Sequence, residues 1–245
     1  MKWGFFSVIH IISLLLVVII NVGLYYILKN MSNKNRLILL GILSFSGIAA
    51  IIYNLLMWGS PLEYLPLHLC SLNAIILPIA VFSKNKVIGN VLLVWCLGAA
   101  FALIMNNSQI DTEIFSWTFF FYYFPHVFEL GIPIILFKLK WIKKDITCIF
   151  STLGITIIIY TIIHFINISL NNYFIRNQIV DYNGNLIQVN YMFSIIPSNP
   201  LLELFYKIIP YQYWYMYLVF PIVIVYLLII YIPELKQILK NKRAN

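Results

Sequence analysis

The sequence predicts an all-α fold: a polytopic membrane bundle of seven transmembrane helices, with the N-terminus outside and the C-terminus cytoplasmic. Three observations carry this expectation. Apolar runs of about 20 residues, the length that crosses a bilayer core, recur along the chain. Of the 245 residues 62% are apolar and 10% charged, with a mean hydropathy of +0.91, whereas a soluble domain carries roughly a quarter charged residues. Lysine and arginine fall mainly in alternate connections between the runs. So few charges cannot cover a water-exposed surface, so membrane lipids are the expected partner. The net charge of +8 does not mark a nucleic-acid binder, because the basic residues are dispersed between apolar runs. Seventeen tyrosines and six tryptophans suit a chain that meets two membrane–water interfaces.

The first run, Phe5 to Leu28, is interrupted only by His10 and Asn21. It is too long for a cleavable signal and lacks a small-residue cleavage site. The second is Leu37 to Trp58. After the polar break Gly59-Ser60-Pro61-Leu62-Glu63, Pro66 is read as the first-turn proline of a third helix, 66–82. Its first half is polar, with His68, Cys70, Ser71 and Asn73. The fourth helix is placed at 87–105, the fifth at 117–137, the sixth at 146–170 and the seventh at 211–232. Between the last two, Asn171 to Pro210 is too polar to span and is read as an external loop with partial structure. No repeat or linker divides the chain, so residues 1–245 are expected to form one integral membrane domain.

Thirteen of the sixteen basic residues set the orientation. Lys29, Lys34 and Arg36 follow the first helix, and Lys84 and Lys86 the third. Lys138, Lys140, Lys143 and Lys144 follow the fifth, and Lys236, Lys240, Lys242 and Arg243 the last. Positive residues favour the cytoplasm, so these segments are expected inside. Lys2, Arg176 and Lys207 fall outside. The expected location is the plasma membrane, as a multi-pass protein.

Polar groups inside lipid-embedded helices are costly, and each is a candidate for function. Helical rise puts His126 about 13 Å into the fifth helix from the outer side. Glu129 lies at i+3 on the same face and is positioned to orient its imidazole. His68 and Cys70 enter the third helix from that side. Asn106 and Asn107 end the fourth helix there, and His164 and Asn167 approach the same leaflet. One outward-opening polar pocket accounts for the pattern. Each residue also has a plainer reading. Cys70 alone reads as a small buried hydrophobe, and His126 alone as a hydrogen-bonded tie between helices. His68, His10 and His164 read as interfacial, and Cys96 and Cys148 as structural. No two histidines stand at i, i+4 and no cysteines cluster, so neither a metal nor another cofactor is expected. A cysteine beside a histidine suits nucleophilic attack on an acyl carbonyl, and in a membrane pocket the acyl compounds are lipids.

The segments Leu65-Pro66-Leu67-His68-Leu69-Cys70-Ser71 and Trp95-Cys96-Leu97-Gly98 resemble those of the YwaF-like family, which includes the animal transmembrane protein 164. So do Asn190-Tyr191-Met192-Phe193 and the aromatic run from Pro210 to Tyr215. The similarity covers most of the chain; the His-Leu-Cys-Ser and Asn-Tyr-Met pieces are the specific ones. The resemblance implies a seven-helix fold and a membrane acyltransferase, since the animal member places acyl chains on ether lysophospholipids through a Cys and His pair. It makes Cys70 the nucleophile and a fifth-helix histidine its base. The family commonly has His directly before Gly in that helix; this chain reads Leu130-Gly131, with His126 one turn earlier. Two functions follow. One is an acyltransferase or lipid hydrolase with Cys70, His126 and Glu129 as catalytic residues and His68, Asn73, Asn106, Asn190 and Tyr191 near the substrate. The other is a non-catalytic protein that binds or transports a lipid or small solute in the same pocket.

Overall fold

The computed structural model describes residues 1–57, 62, 64–105, 109–181 and 183–244. Nine α-helices are formed among them: α1 (Val8–Asn30), α2 (Asn33–Ser44), α3 (Ser46–Met57), α4 (Leu69–Ser83), α5 (Lys86–Met105), α6 (Trp117–Lys138), α7 (Cys148–Asn177), α8 (Pro200–Ile208) and α9 (Val219–Ala244). Among the described residues six spans are long and apolar enough to cross a membrane: α1, α2 with α3 as one rod, α5, α6, α7, and Trp214–Lys236. The seventh expected helix is α4, and it differs from the expectation. It has 15 residues and starts at Leu69, not at Pro66. His68 is extended (φ −73°, ψ 153°), so the helical hydrogen bonds begin only after it. At about 1.5 Å per residue α4 reaches roughly 22 Å, short of a bilayer core.

The chain divides into two compact units, Met1–Lys143 with Val180–Asn185, and Lys144–Ile179 with Leu186–Asn245.

The first unit has two distinct ends. At one, the N-terminal residues lie along the α5–α6 connection: Lys2 bridges Glu113, and Trp3 N donates to Thr112 O at 2.9 Å. The Lys2 ammonium also meets Asp111 at 2.7 Å. Trp3 is fully buried there, among Val17, Leu103, Tyr123 and Val127. At the other end three connections meet on Trp141. Its indole N–H donates to Val81 O at 3.1 Å, and Lys84 Nζ sits 3.9 Å and Arg36 Cζ 5.8 Å from its ring centroid. Tyr53 near the end of α3 stacks on Phe121 near the start of α6, at 4.4 Å. The C-terminal end of α3 therefore lies toward the Asp111 end, and the C-terminal end of α4 lies at the Trp141 end.

His10, expected at the interface, stands in the first turn of α1 and is fully buried within the protein. Its Nδ1 accepts from Phe6 N at 3.0 Å and its Nε2 donates to Leu103 O at 2.8 Å, so the ring ties α1 to α5. Asn21 does the same for α6, donating to Val17 O and Val127 O. A Cβ on Gly131 would stand 1.5 Å from Asn21 Oδ1. Glycine at 131 is thus the seat of the Asn21 amide.

In the second unit α7 runs to Asn177, past its apolar stretch, because Asn171 exchanges two hydrogen bonds with the Val189 backbone at 2.8 and 2.9 Å. Within the expected loop, α8 is started by Asn199, whose side chain accepts from Leu202 N, with Pro200 behind it and Glu203 in the first turn. It buries Leu202 and Phe205 against Tyr215.

Candidate functional site

Three helices of the first unit meet at one point, and a glycine lets them. A Cβ on Gly47 of α3 would lie 2.5 Å from Ala74 Cβ of α4 and 2.9 Å from Glu129 Oε1 of α6. Gly47 sits in the small-residue run Ser46-Gly47-Ile48-Ala49-Ala50, the type of surface that lets membrane helices approach. That run is the signal for Gly47 in the sequence, and the pattern of polar residues does not contain it.

Glu129 is 3% exposed and Asn73 fully buried. The Asn73 amide neighbours the Glu129 carboxylate. Even so, Glu129 Oε2 and both polar atoms of Asn73 lack a well-formed hydrogen bond. A buried polar atom without a good partner costs about 1–3 kcal/mol, so the Asn73–Glu129 pair is an expensive feature of this level and makes it the candidate site. Along α6 this level lies between two apolar clusters. Tyr123 and Val127 belong to the cluster around Trp3, and Ile132, Ile135 and Leu136 to one with Leu77, Val81 and Leu92.

Cys70 stands one turn before Asn73 on the same face of α4. It is a half-buried free thiol within electrostatic reach of Glu129. His126 is buried one turn before Glu129. Its Nδ1 lies 2.6 Å from the Tyr122 carbonyl. A carbonyl only accepts, so Nδ1 carries the proton and Nε2 keeps its lone pair. Tyr122 in turn donates its hydroxyl to Ala102 O at 2.9 Å. The partner that orients the imidazole through Nδ1 is therefore the Tyr122 backbone, where the sequence had suggested Glu129. Pro78 and Pro125 each delete a helical N–H in this neighbourhood, which leaves the carbonyls of Ala74 and Phe121 without their usual donors.

The other expected residues are distributed as follows. His68 takes the N-cap position of α4 and its side chain makes no cap bond. Asn106, with Asn107, lies outside the described residues. Asn190 and Tyr191 belong to the second unit. Asn190 holds its own loop, donating to Ile196 O and accepting from Ile195 N. Tyr191 is 1% exposed, with its backbone clasped by the Asn167 amide. His164 pairs through Nδ1 with Ser194 Oγ at 3.1 Å, which also accepts from Asn167. Cys96 and Cys148 are buried, and Cys96 donates to Leu93 O.

Between α3 and α6 runs a mainly apolar groove of about 270 Å³, lined by Ser46 and Ala49 of α3 and by phenylalanines and Pro125 of α6. Pro125 stands one turn before Glu129, so the groove and the polar level share a wall.

Neither a curated protein nor a solved structure matches the chain. The model of the TMEM164 family matches residues 5–231, from the first apolar run through the last. With its apolar helices and this match over nearly its whole length, the chain is a multi-pass membrane protein that belongs to the TMEM164 family.

Proposed function

We propose that this protein is a membrane acyltransferase, or a lipid hydrolase, acting on phospholipid acyl chains with Cys70 as nucleophile and His126 as base. The observation that supports the reading is the close approach of α3, α4 and α6 at Gly47, where Glu129 lies beside Asn73 and Cys70 stands one turn before Asn73 on α4. The site sits in plasma membrane lipid, where its substrates are. Cys70 Sγ gives its proton to His126 Nε2 and attacks the acyl carbonyl carbon. The ester C–O bond breaks, and the departing lysophospholipid oxygen takes the proton from His126. A thioester remains on Cys70. An acceptor hydroxyl, of a second lysophospholipid or of water, then gives its proton to Nε2 as its oxygen attacks the thioester, and the C–S bond breaks, the Cys70 sulfur taking that proton back from His126. The Asn73 amide N–H is the donor offered to the developing oxyanion. Glu129 positions Asn73, and the Phe-lined groove seats the acyl chain. His68 and Asn106 are further candidates for substrate contact.

His126→Gln tests the base. Turnover of a labelled phospholipid in reconstituted vesicles should fall by roughly 10²–10⁴-fold, the usual contribution of a positioned base. Alkylation of Cys70 at high pH should persist, because there the thiolate forms unaided. Unchanged turnover would remove His126 from the mechanism.

The same reading places the N-terminus outside and the C-terminus in the cytoplasm, with seven crossings once the path through α4 is counted. Single cysteines near Asp111 and Gly184 should then react with an impermeant reagent from outside, and those near Asn85 and Lys143 only from the cytoplasm. Labelling at Asn85 and Gly184 from one side would contradict it.

A further inference from the structure

The Trp141 end of the first unit carries an observation that acyl chemistry does not use. The segments that meet there, 29–36, 83–86 and 138–143, contain eight basic residues and no carboxylate. Two of the cations are fixed in place. The Arg36 guanidinium donates to Leu28 O at 3.0 Å, to Asn33 Oδ1 at 3.2 Å, and to the Lys29 and Met31 carbonyls at 3.4 Å, all neutral acceptors. Its charge is therefore held rigidly and not cancelled by any of these partners. Lys84 ends α4 in the left-handed conformation (φ 53°), which turns its side chain onto the Trp141 face. Around this pair Lys34, Lys140 and Lys143 are exposed. The indole N–H points inward to Val81 O, so the ring forms a platform with its cations on the outside. At the Asp111 end charges are paired instead: there Lys2 faces Asp111 and Glu113.

We infer that this end is a binding surface for anionic phospholipid headgroups, centred on Arg36, Lys84 and Trp141. Charge complementarity selects the occupant. A ring of cations at the end of a lipid-embedded bundle faces headgroups, and each lysine near an anionic membrane surface strengthens binding about fivefold. A fixed guanidinium adds attraction without further loss of side-chain freedom. The surface is distinct from the Cys70 level and does not depend on whether that level is catalytic.

The test uses the full chain reconstituted in vesicles of phosphatidylcholine with or without phosphatidylglycerol, followed by native mass spectrometry of the lipids it retains. The expected result is at least tenfold preferential retention of phosphatidylglycerol, falling as salt is raised. Joint substitution of Lys84→Gln, Lys140→Gln and Lys143→Gln should reduce that preference by tenfold or more. Lys2→Gln at the other end should leave it unchanged. Equal retention of the two lipids by the unaltered protein would overturn the inference. So would a preference that survives the triple substitution, because the headgroups would then sit elsewhere.

Discussion

Gly47→Val should be among the most damaging single substitutions in α3. The new Cβ would meet Ala74 Cβ at 2.5 Å and the Ala74 Cα at 3.2 Å, and neither atom can swing aside because both are fixed to the α4 backbone. Relief requires α3 and α4 to separate. That loosens the contact along which Glu129 and Asn73 are held, at a cost of about 1–3 kcal/mol or more. Helix propensity acts the other way, since glycine is a poorer helix former than most residues, so a loss of stability must come from packing. Gly23 and Gly154 supply the control: a Cβ at either meets nothing within 4 Å. Gly23→Ala and Gly154→Ala should be neutral or slightly stabilising, while Gly47→Val should lower the unfolding midpoint in detergent and the rate of lipid turnover together. A midpoint equal to that of the controls would show that the three helices do not meet at this glycine.

The second large effect is on activity. Cys70→Ala should abolish acyl transfer while leaving the protein folded. Cys70 is half-buried at the start of α4, so truncation leaves little cavity to penalise. Cys70→Ser should fail as well, because a base able to ionise a thiol does not suffice for a hydroxyl. Leu130→His asks whether the family's usual histidine position is the more competent one. Leu130 lies one turn after His126 and packs with the Trp3, Val17, Tyr123 and Val127 cluster. A histidine there shares the His126 stripe but enters apolar surroundings. A rise in turnover would assign the base to that level, and a loss would keep it at His126. Full turnover by Cys70→Ala would leave the site to a binding or transport role.

The proximity of Asn73 on α4 and Glu129 on α6 was legible in part, because depth follows from helical rise and counting residues from the loops puts these two near one height. Rotation about each helix axis is not encoded that way. That Glu129 turns toward Gly47 and Asn73, and that His126 turns toward the Tyr122 carbonyl, depends on how α3, α5 and α6 pack. Backbone acceptors such as Tyr122 O leave no trace in a side-chain pattern, so the carboxylate at i+3 looked like the natural partner of the imidazole. Pro66 misplaced the start of α4 for a related reason. Proline suits a helix first turn, but equally well the extended residues through His68 that the chain adopts there. α8 was readable from Asn199, Pro200 and Glu203; the polar character of the surrounding loop masked it. The position of His10 near a helix end was legible, but its burial was not, because it depends on both ring nitrogens finding partners within the protein.

The central claim is that Cys70 carries an acyl group during turnover, and trapping that group tests it most directly. The protein is incubated in vesicles with a phospholipid bearing a labelled acyl chain, quenched in acid, digested and analysed by mass spectrometry. One acyl adduct is expected, on the peptide that contains Cys70. It should be released by neutral hydroxylamine, as a thioester is, and be absent in Cys70→Ala. It should also be diminished in His126→Gln. Lipid turnover that proceeds with no adduct on Cys70, or with the adduct on Cys96 or Cys148, would contradict it.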